Sequence, residues 1–201
     1  MKTQEEFKEH LDKWYAKARQ VSGVRIRTLT RKRLIEMLGE HGFSAGAEIG
    51  VDRGTFTEYM FKTIPDLTML CVDPWVRGSG DERYETTARK LAPYKATLIR
   101  EQSTRAVLDV PDKSLDFVYI DGDHTFDFVM TDLIMWSRKV KYGGVIAGHD
   151  YYRFTRAGII PAVDTYTQQH MIEKWFLTDE KEATFFWVRE RSFVDVLEDL
   201  D

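Results

Sequence analysis

The chain has 201 residues, of which 43% are hydrophobic, and this is enough for one substantial core. We therefore expect a single domain over 1–201, with N-terminal helices in 1–42 and an α/β core in 43–201. The formal net charge of −4 offers no broad positive field for phosphates, which argues against a nucleic-acid partner.

Targeting signals and cysteine chemistry also limit the class of protein. The N-terminus has no apolar signal-peptide core, and no run of about 18 apolar residues occurs, so neither secretion nor a membrane partner is predicted. The single cysteine, Cys71, excludes an intramolecular disulfide and favours a small buried strand residue. These features predict a cytoplasmic protein.

Two helices precede the first predicted strand. The first spans about 3–20 and places apolar residues at spacings of three and four, namely Phe7, Leu11, Trp14 and Tyr15. It would cover the core or pack against a second subunit in a homo-oligomer. The second spans about 30–41 with Thr30 as N-cap. The basic run at its start, Arg25 to Arg33, is interpreted as a solvated face, with a functional basic patch as the alternative.

Short apolar runs then alternate with helical patterns. The runs are SAGAEIGV, LTMLCVD, ATLIRE, LDFVYID and GGVIAGHD, with helices predicted over about 56–62, 81–91, 104–107 and 127–139. Such alternation predicts parallel strands covered by helices on both faces. A helix over about 160–170 leads to KWFLT and ATFFWVRE, which predict a C-terminal antiparallel hairpin. The expected fold is α/β, with a mostly parallel seven-stranded sheet.

A glycine-containing loop follows the first of these strands, with Glu48, Gly50 and Gly54 in the run EIGVDRG. Ligands of parallel sheets bind outside the carboxyl ends of the strands, and glycine permits a tight turn there. The run lacks both the three glycines of a dinucleotide fingerprint and the ending of a P-loop. Asp73 ends the next strand, 23 positions after Gly50 (73 minus 50), where an acid can accept hydrogen bonds from ribose hydroxyls. An ordinary turn and a strand-ending acid are the plain alternative.

The loop resembles the E-x-G-x-x-x-G loop of class I methyltransferases, which have a Rossmann-like fold. This resemblance implies S-adenosylmethionine as cofactor. The implied cofactor-binding residues are Glu48, Gly50, Gly54, Asp73 and Asp121, together with Gln102 and Ser103 near adenine after the third strand of the core.

Polar side chains follow the fourth and fifth strands of the core. Asp121, Asp123 and His124 come after LDFVYI, and His149 and Asp150 come after GGVIAG. Neighbouring strand ends bring these residues to one rim, where carboxylates and imidazoles suit a divalent metal. Turn formation explains one aspartate but not two histidines and three aspartates together.

The segment IDGDHTFDFVMTDLIMWSRKVKYGGVIAGHDYY is similar to a small family grouped with metal-dependent macrolide-sugar O-methyltransferases. That similarity implies Asp121 and Asp150 as metal ligands and His124 as catalytic base. His149 stands where the first of two acids is expected, so it is a metal ligand, a second catalytic acid/base group or a structural residue. Mg²⁺ or Mn²⁺ is expected, and a histidine ligand would favour Mn²⁺, Fe²⁺ or Zn²⁺ over Mg²⁺.

The expected function is metal-assisted transfer of a methyl group from S-adenosylmethionine to a hydroxyl of a small-molecule substrate. Three alternatives share the fold: a nicotinamide-dependent oxidoreductase, a metal-dependent hydrolase using His149 and Asp150, and a non-catalytic module that binds an adenosyl ligand.

Overall fold

Alternating strands and helices fill the chain, as seen in a computed structural model that describes residues 2–18, 23–76, 78–154 and 157–191. The strands are β1 (Val24–Arg25), β2 (Ala45–Ile49), β3 (Thr68–Val72), β4 (Lys95–Ile99), β5 (Leu115–Ile120), β6 (Val140–Tyr151), β7 (Trp175–Leu177) and β8 (Ala183–Val188). The helices are α1 (Gln4–Lys17), α2 (Arg31–Glu40), α3 (Thr55–Thr63), α4 (Gly80–Leu91), α5 (Ser103–Ala106), α6 (Phe126–Ser137) and α7 (Ile159–Gln169), and a 3₁₀ turn (Val107–Asp109) follows α5.

The strands form one sheet in the order β1-β7-β8-β6-β5-β2-β3-β4. Neighbours from β6 through β4 are parallel, and β8 is antiparallel to both β6 and β7. All six residues of β5 are buried, because this central strand has a helical layer on each side. The predicted fold class, including the C-terminal antiparallel hairpin, is confirmed.

Two hydrophobic cores lie on opposite faces of the sheet. One core includes Phe7 and Leu11 of α1, Leu34 of α2 and Met60 of α3. The other includes Leu133 of α6 and further apolar residues of α7. The alternating side chains of the strands divide between the two. Helix α1 therefore covers the sheet, which is one of the two roles predicted for it.

The structure differs from the prediction in the number of strands and in some boundaries. The sheet has eight strands rather than seven, because β1 adds to the edge beside β7 in parallel. Strand β6 begins at Val140, earlier than expected. Helix α1 ends at Lys17, and its predicted end at Gln20 lies outside the described residues. Thr30 caps α2 as predicted, accepting a hydrogen bond from the N–H of Arg33.

The residues that lead into α2 are held against the C-terminal hairpin, and we call these contacts the N-terminal clip (residues 24–31 with 177–180). Beyond β1, the Ile26 N–H donates to the Leu177 carbonyl at 2.9 Å, and the Asp179 N–H donates to the Leu29 carbonyl at 2.7 Å. The N–H of Arg31 donates to Oε2 of Glu180 at 2.6 Å. The clip therefore fixes where α2 begins relative to the sheet.

Within the described residues, no helix combines the length and the apolar character required to cross a membrane.

Candidate active site

The sheet reverses its direction of growth between β2 and β5. From β2 the chain proceeds to β3 and β4 on one side, and from β5 it proceeds to β6 on the other. Such a reversal opens a crevice at the carboxyl ends of the two strands. Gly50 and Asp121 directly follow these strands, and the Asp121 N–H donates to the Ile49 carbonyl at 2.7 Å. The predicted cofactor loop and the predicted metal cluster therefore meet at this crevice.

Position 50 must be a glycine because the loop lies against the backbone of Asp121 at this crevice. The φ of Gly50 is 93°, and a Cβ there would lie 2.1 Å from the backbone oxygen of Asp121. Any side chain would push the two strand ends apart. The glycine therefore allows the loop to approach Asp121 closely.

The carboxylate of Asp73 is fixed against the glycine loop. Its Oδ2 accepts a hydrogen bond from the N–H of Asp52 at 2.9 Å, and its Oδ1 accepts one from the N–H of Trp75 at 2.7 Å. The Trp75 indole N–H in turn donates to the Asp52 carbonyl at 2.7 Å. Each carboxylate oxygen has a second lone pair for a further hydrogen bond. The structure therefore holds a two-oxygen acceptor beside the loop.

Glu48 lies beneath the same loop and is 2% exposed. The hydroxyl of Thr57 in α3 donates to its Oε2. Burial raises the pKa of Glu48 to about 8, so the carboxyl carries its proton at neutral pH. In this arrangement Glu48 joins β2 to α3, and its contact with a cofactor stays a prediction.

Gln102 and Ser103 lie at the start of α5, next to the end of β3. The Asp73 N–H donates to the Ile99 carbonyl at 3.2 Å, which brings the ends of β3 and β4 together. Gln102 is exposed, whereas Ser103 is buried and hydrogen-bonded to Asp132 of α6. Burial raises the pKa of Asp132 to about 6, although the hydrogen bond with Ser103 acts to lower it. Asp132 was not predicted to be near the site, because it occupies a buried position in a helix.

Asp121, His124 and Asp150 converge on the other side of the crevice. Each offers one ligand atom, and these atoms all lie within 4.8 Å of one another. His124 Nε2 is 3.2 Å from Asp150 Oδ2 and 4.0 Å from Asp121 Oδ1. The structure therefore brings together the two predicted metal ligands and the predicted base.

His149 lies beside this cluster with both ring nitrogens directed at other residues. Its Nδ1 is 3.1 Å from Asp150 Oδ1 and 3.9 Å from Asp121 Oδ1. Its Nε2 is 3.2 Å from a guanidinium nitrogen of Arg31. Arginine can only donate, so a hydrogen bond from Arg31 requires Nε2 to accept, and a neutral ring would then carry its proton on Nδ1, which faces Asp150. This geometry favours the structural role among the three that the sequence left open.

The two carboxylates of the cluster differ electrostatically. Burial raises the pKa of Asp121 to about 7, with His149 and Arg31 opposing the rise and Asp150 adding to it. Burial also acts on Asp150, but the hydrogen bond from His149 and the charges of His149, His124 and Arg31 together outweigh it, and the pKa of Asp150 lies below its ordinary value. Asp150 has a φ of 60°, which is uncommon for a residue other than glycine. Asp150 is thus the more acidic member of the pair.

Arg31 is a further site residue that sequence analysis missed. Its guanidinium lies 4.7 Å from the centroid of the Phe56 ring and within hydrogen-bond distance of His149. The basic run was interpreted as a solvated face, and this is wrong for Arg31, which is only partly exposed. No local signal could have distinguished it, because its partner lies 118 positions away.

Among the described residues, two of the cavities lie away from this crevice. One, of about 420 Å³, lies between α1, α7 and β8, and the other, of about 920 Å³, lies on the face of β2, β3 and β4 beside α5. Neither is lined by a residue of the cluster or of the glycine loop.

Comparison with known families agrees with this geometry. A family model described as a methyltransferase domain matches residues 47–151, more than half of the chain, and these residues run from the middle of β2 to the end of β6. The chain belongs to the methyltransferase family. This match favours the methyltransferase interpretation over an oxidoreductase or a hydrolase. A search of curated proteins found no match.

Solved structures share the fold of this methyltransferase. The O-methyltransferase TomG from Streptomyces achromogenes, in complex with SAM, has a TM-score of 0.60 at 13% identity, over 80% of this chain and 80% of that chain. The cofactor-bound protein Rv0187 from MTB has a TM-score of 0.62 at 15% identity, over 91% and 89%. A precorrin-6y C5,15-methyltransferase from Geobacter metallireducens has a TM-score of 0.57 at 11% identity, over 84% and 94%.

Proposed function

We propose that this methyltransferase transfers a methyl group from S-adenosylmethionine to a hydroxyl oxygen of a small molecule, with a divalent metal ion in the site. One observation carries the proposal: the cluster of Asp121, His124 and Asp150 adjoins the glycine loop at the crevice between β2 and β5. The fold shared with TomG, an O-methyltransferase in complex with SAM, supports it.

The donor side of the site suits an adenosyl ligand. Both oxygens of Asp73 are held in place by backbone N–H groups, so the carboxylate is oriented to accept from two neighbouring ribose hydroxyls. Gln102 and Ser103 lie at the end of the next strand, where adenine contacts are proposed. S-adenosylmethionine supplies a sulfonium methyl group, which is already activated for transfer. The protein must therefore mainly align the acceptor oxygen with it.

The acceptor side suits a divalent ion bound by Asp121 and Asp150. The two carboxylates supply oxygen ligands, which suit Mg²⁺ and Mn²⁺ and leave other coordination positions open for the substrate. A bound ion would supply Lewis-acid polarisation of the acceptor hydroxyl. Despite burial, the hydrogen bond from His149, with the charges of His149, His124 and Arg31, keeps the pKa of Asp150 below its ordinary value, which favours the carboxylate form that a metal ion needs.

His124 is the proposed base. Its side chain is 38% exposed, so an acceptor hydroxyl can reach the ring. Asp150 Oδ2 lies 3.2 Å from Nε2, where it would stabilise the imidazolium that forms when the ring takes the hydroxyl proton. The His124 ring packs edge-on against Phe154, which stacks on Tyr152 at 4.8 Å between ring centroids. These rings offer an apolar wall to the acceptor.

Three measurements test the proposal. Calorimetry should show micromolar binding of S-adenosylhomocysteine, about −8 kcal/mol, and none of NAD. With a panel of hydroxylated small molecules, EDTA should abolish turnover and leave the binding of S-adenosylhomocysteine intact. Turnover that persists in EDTA would refute the role of the metal. Binding of NAD without binding of S-adenosylhomocysteine would refute S-adenosylmethionine as the methyl donor.

The role of His124 is tested separately. His124→Ala should lower kcat about 10²–10⁴-fold while metal content is unchanged. His10→Ala, in α1 and outside the cluster, is the matched control. Loss of metal in His124→Ala would make His124 a ligand instead, and normal turnover would mean that the proton leaves by another route.

A further inference from the structure

A chain of hydrogen bonds extends from α2 to the base. The guanidinium of Arg31 is 3.2 Å from Nε2 of His149, Nδ1 of His149 is 3.1 Å from Oδ1 of Asp150, and Oδ2 of Asp150 is 3.2 Å from Nε2 of His124. The four residues come from α2, β6 and the segment after β5. Each oxygen of Asp150 therefore faces a different histidine.

We propose that Arg31 is a positioning residue that sets the tautomer of His149 and, through it, the orientation of the Asp150 carboxylate. Arginine has no acceptor, so a hydrogen bond to Nε2 requires the proton on Nδ1. In that tautomer His149 donates to Asp150. With the other tautomer, Nε2–H would point at a cation and the lone pair of Nδ1 would point at a carboxylate, so both contacts would be repulsive.

The surroundings of Arg31 hold its guanidinium in place. The Phe56 ring lies beneath it, with 4.7 Å between the guanidinium carbon and the ring centroid. At the backbone, the Arg31 N–H donates to Oε2 of Glu180 at 2.6 Å. Thr28, which precedes the helix in the N-terminal clip, has a φ of 75°, an outlier for a β-branched residue. This strain is consistent with a segment that the hairpin holds at a required position.

The orientation of Asp150 matters because a carboxylate that is free to rotate binds a metal less well. Hydrogen-bond partners behind metal ligands fix their orientation, and removing such a partner costs about 10–100-fold in metal affinity. This consequence rests on the proposed metal site. The tautomer of His149 does not depend on a metal, so the tautomer and the effect on metal binding can be tested separately.

The tautomer is read from long-range ¹H–¹⁵N correlation spectra of the metal-free protein at a pH where the imidazole is neutral. His149→Asn identifies the signals of His149. We expect the Nδ1–H form in the wild type and a shift toward the Nε2–H form in Arg31→Met. An Nε2–H form in the wild type, or an unchanged tautomer in Arg31→Met, would overturn the proposal.

The effect on the metal is read from Mn²⁺ titrations followed by electron paramagnetic resonance, a measurement that needs no turnover. Arg31→Met should raise the Kd for Mn²⁺ about 10–100-fold. The opposite sign is expected if Arg31 is only a nearby positive charge, because its removal would then tighten the binding of a cation. Tighter or unchanged binding therefore refutes positioning by Arg31.

A double-mutant cycle tests whether Arg31 acts through His149. His149→Leu alone should weaken Mn²⁺ binding, and adding Arg31→Met to it should change the Kd no further. Additive losses would show that Arg31 acts by another route. Arg33→Met is the matched control, because Arg33 lies in the same helix but pairs with Glu36 and Glu40 on the exposed face. If no variant and no wild type binds Mn²⁺, the metal role fails, while the tautomer result still decides the role of Arg31.

Discussion

Asp73 offers a sharp test of the donor side, because its carboxylate has two separable roles. Its oxygens accept from the N–H groups of Asp52 and Trp75, and hydrogen bonds to a charged group contribute about 1.5–3 kcal/mol each. Asp73 is partly exposed, so water replaces some of that loss in Asp73→Ala. We expect the free energy of unfolding to fall by about 2–3 kcal/mol, less than the roughly 3–6 kcal/mol that two such bonds would contribute without replacement by water.

The ribose contacts add a separate loss in the same variant. The affinity for S-adenosylhomocysteine should fall by about 1.5–3 kcal/mol, which is about 10–150-fold. Asp73→Asn should give intermediate losses, because the amide keeps one acceptor oxygen but turns an N–H₂ group toward a backbone donor. Asp112→Ala is the control, since Asp112 is an exposed partner of Lys139 away from the crevice. Calorimetry and urea unfolding measure the two effects. If stability falls and affinity does not, Asp73 only supports the loop, and the ribose binds elsewhere.

Three further predictions concern stability and reactivity. Gly50→Ala should lower the free energy of unfolding by about 2–5 kcal/mol, because the alanine would be strained at this φ and its Cβ would overlap Asp121. The control Gly143→Ala, at a φ of 83° with nothing within 4 Å of the added Cβ, should cost about 1–2 kcal/mol, and equal losses in urea unfolding would contradict the overlap. Folded Glu48 keeps a proton that the unfolded chain loses above about pH 4.5, so the free energy of unfolding should fall as pH rises from 4.5 toward 8. In Glu48→Gln the loss of stability between pH 5.5 and 7.5 should be smaller by up to about 3 kcal/mol, and an unchanged slope would mean that Glu48 is ionised. Burial raises the pKa of the Cys71 thiol, so thiol reagents should label the chain only on unfolding, and rapid labelling of the native protein would contradict this.

Local sequence signals predicted most of the sheet. Apolar runs of strand length separated by helical periodicity sufficed for β2 to β6, because parallel strands between two helical layers are rich in apolar residues. Thr30 was identified as a cap because its side chain acts on a backbone N–H three residues ahead. The proximity of Asp121 and Asp150 could be predicted, because the carboxyl ends of neighbouring parallel strands lie at one edge of the sheet.

Features that depend on distant pairing could not be predicted. Val24 and Arg25 form a strand only because β7 offers an edge to them, and two residues carry no periodicity. In the sequence, nothing distinguishes Arg31 from the other cations of the basic run, because its contact with His149 exists only in the folded protein. The burial of Glu48 was also missed, since the family loop pattern says nothing about which way that side chain points.

The N-terminal clip links the site to the order in which the chain is synthesised. Arg31 is made early, but the residue that holds its backbone, Glu180, follows 149 positions later. During synthesis the glycine loop, Asp121 and His149 can all be in place before the hairpin emerges. Closing so long a loop is slow compared with forming the local helices. Completion of the proposed acceptor side should therefore be among the last steps of folding, so an adenosyl ligand could bind to a chain that cannot yet position the proposed base.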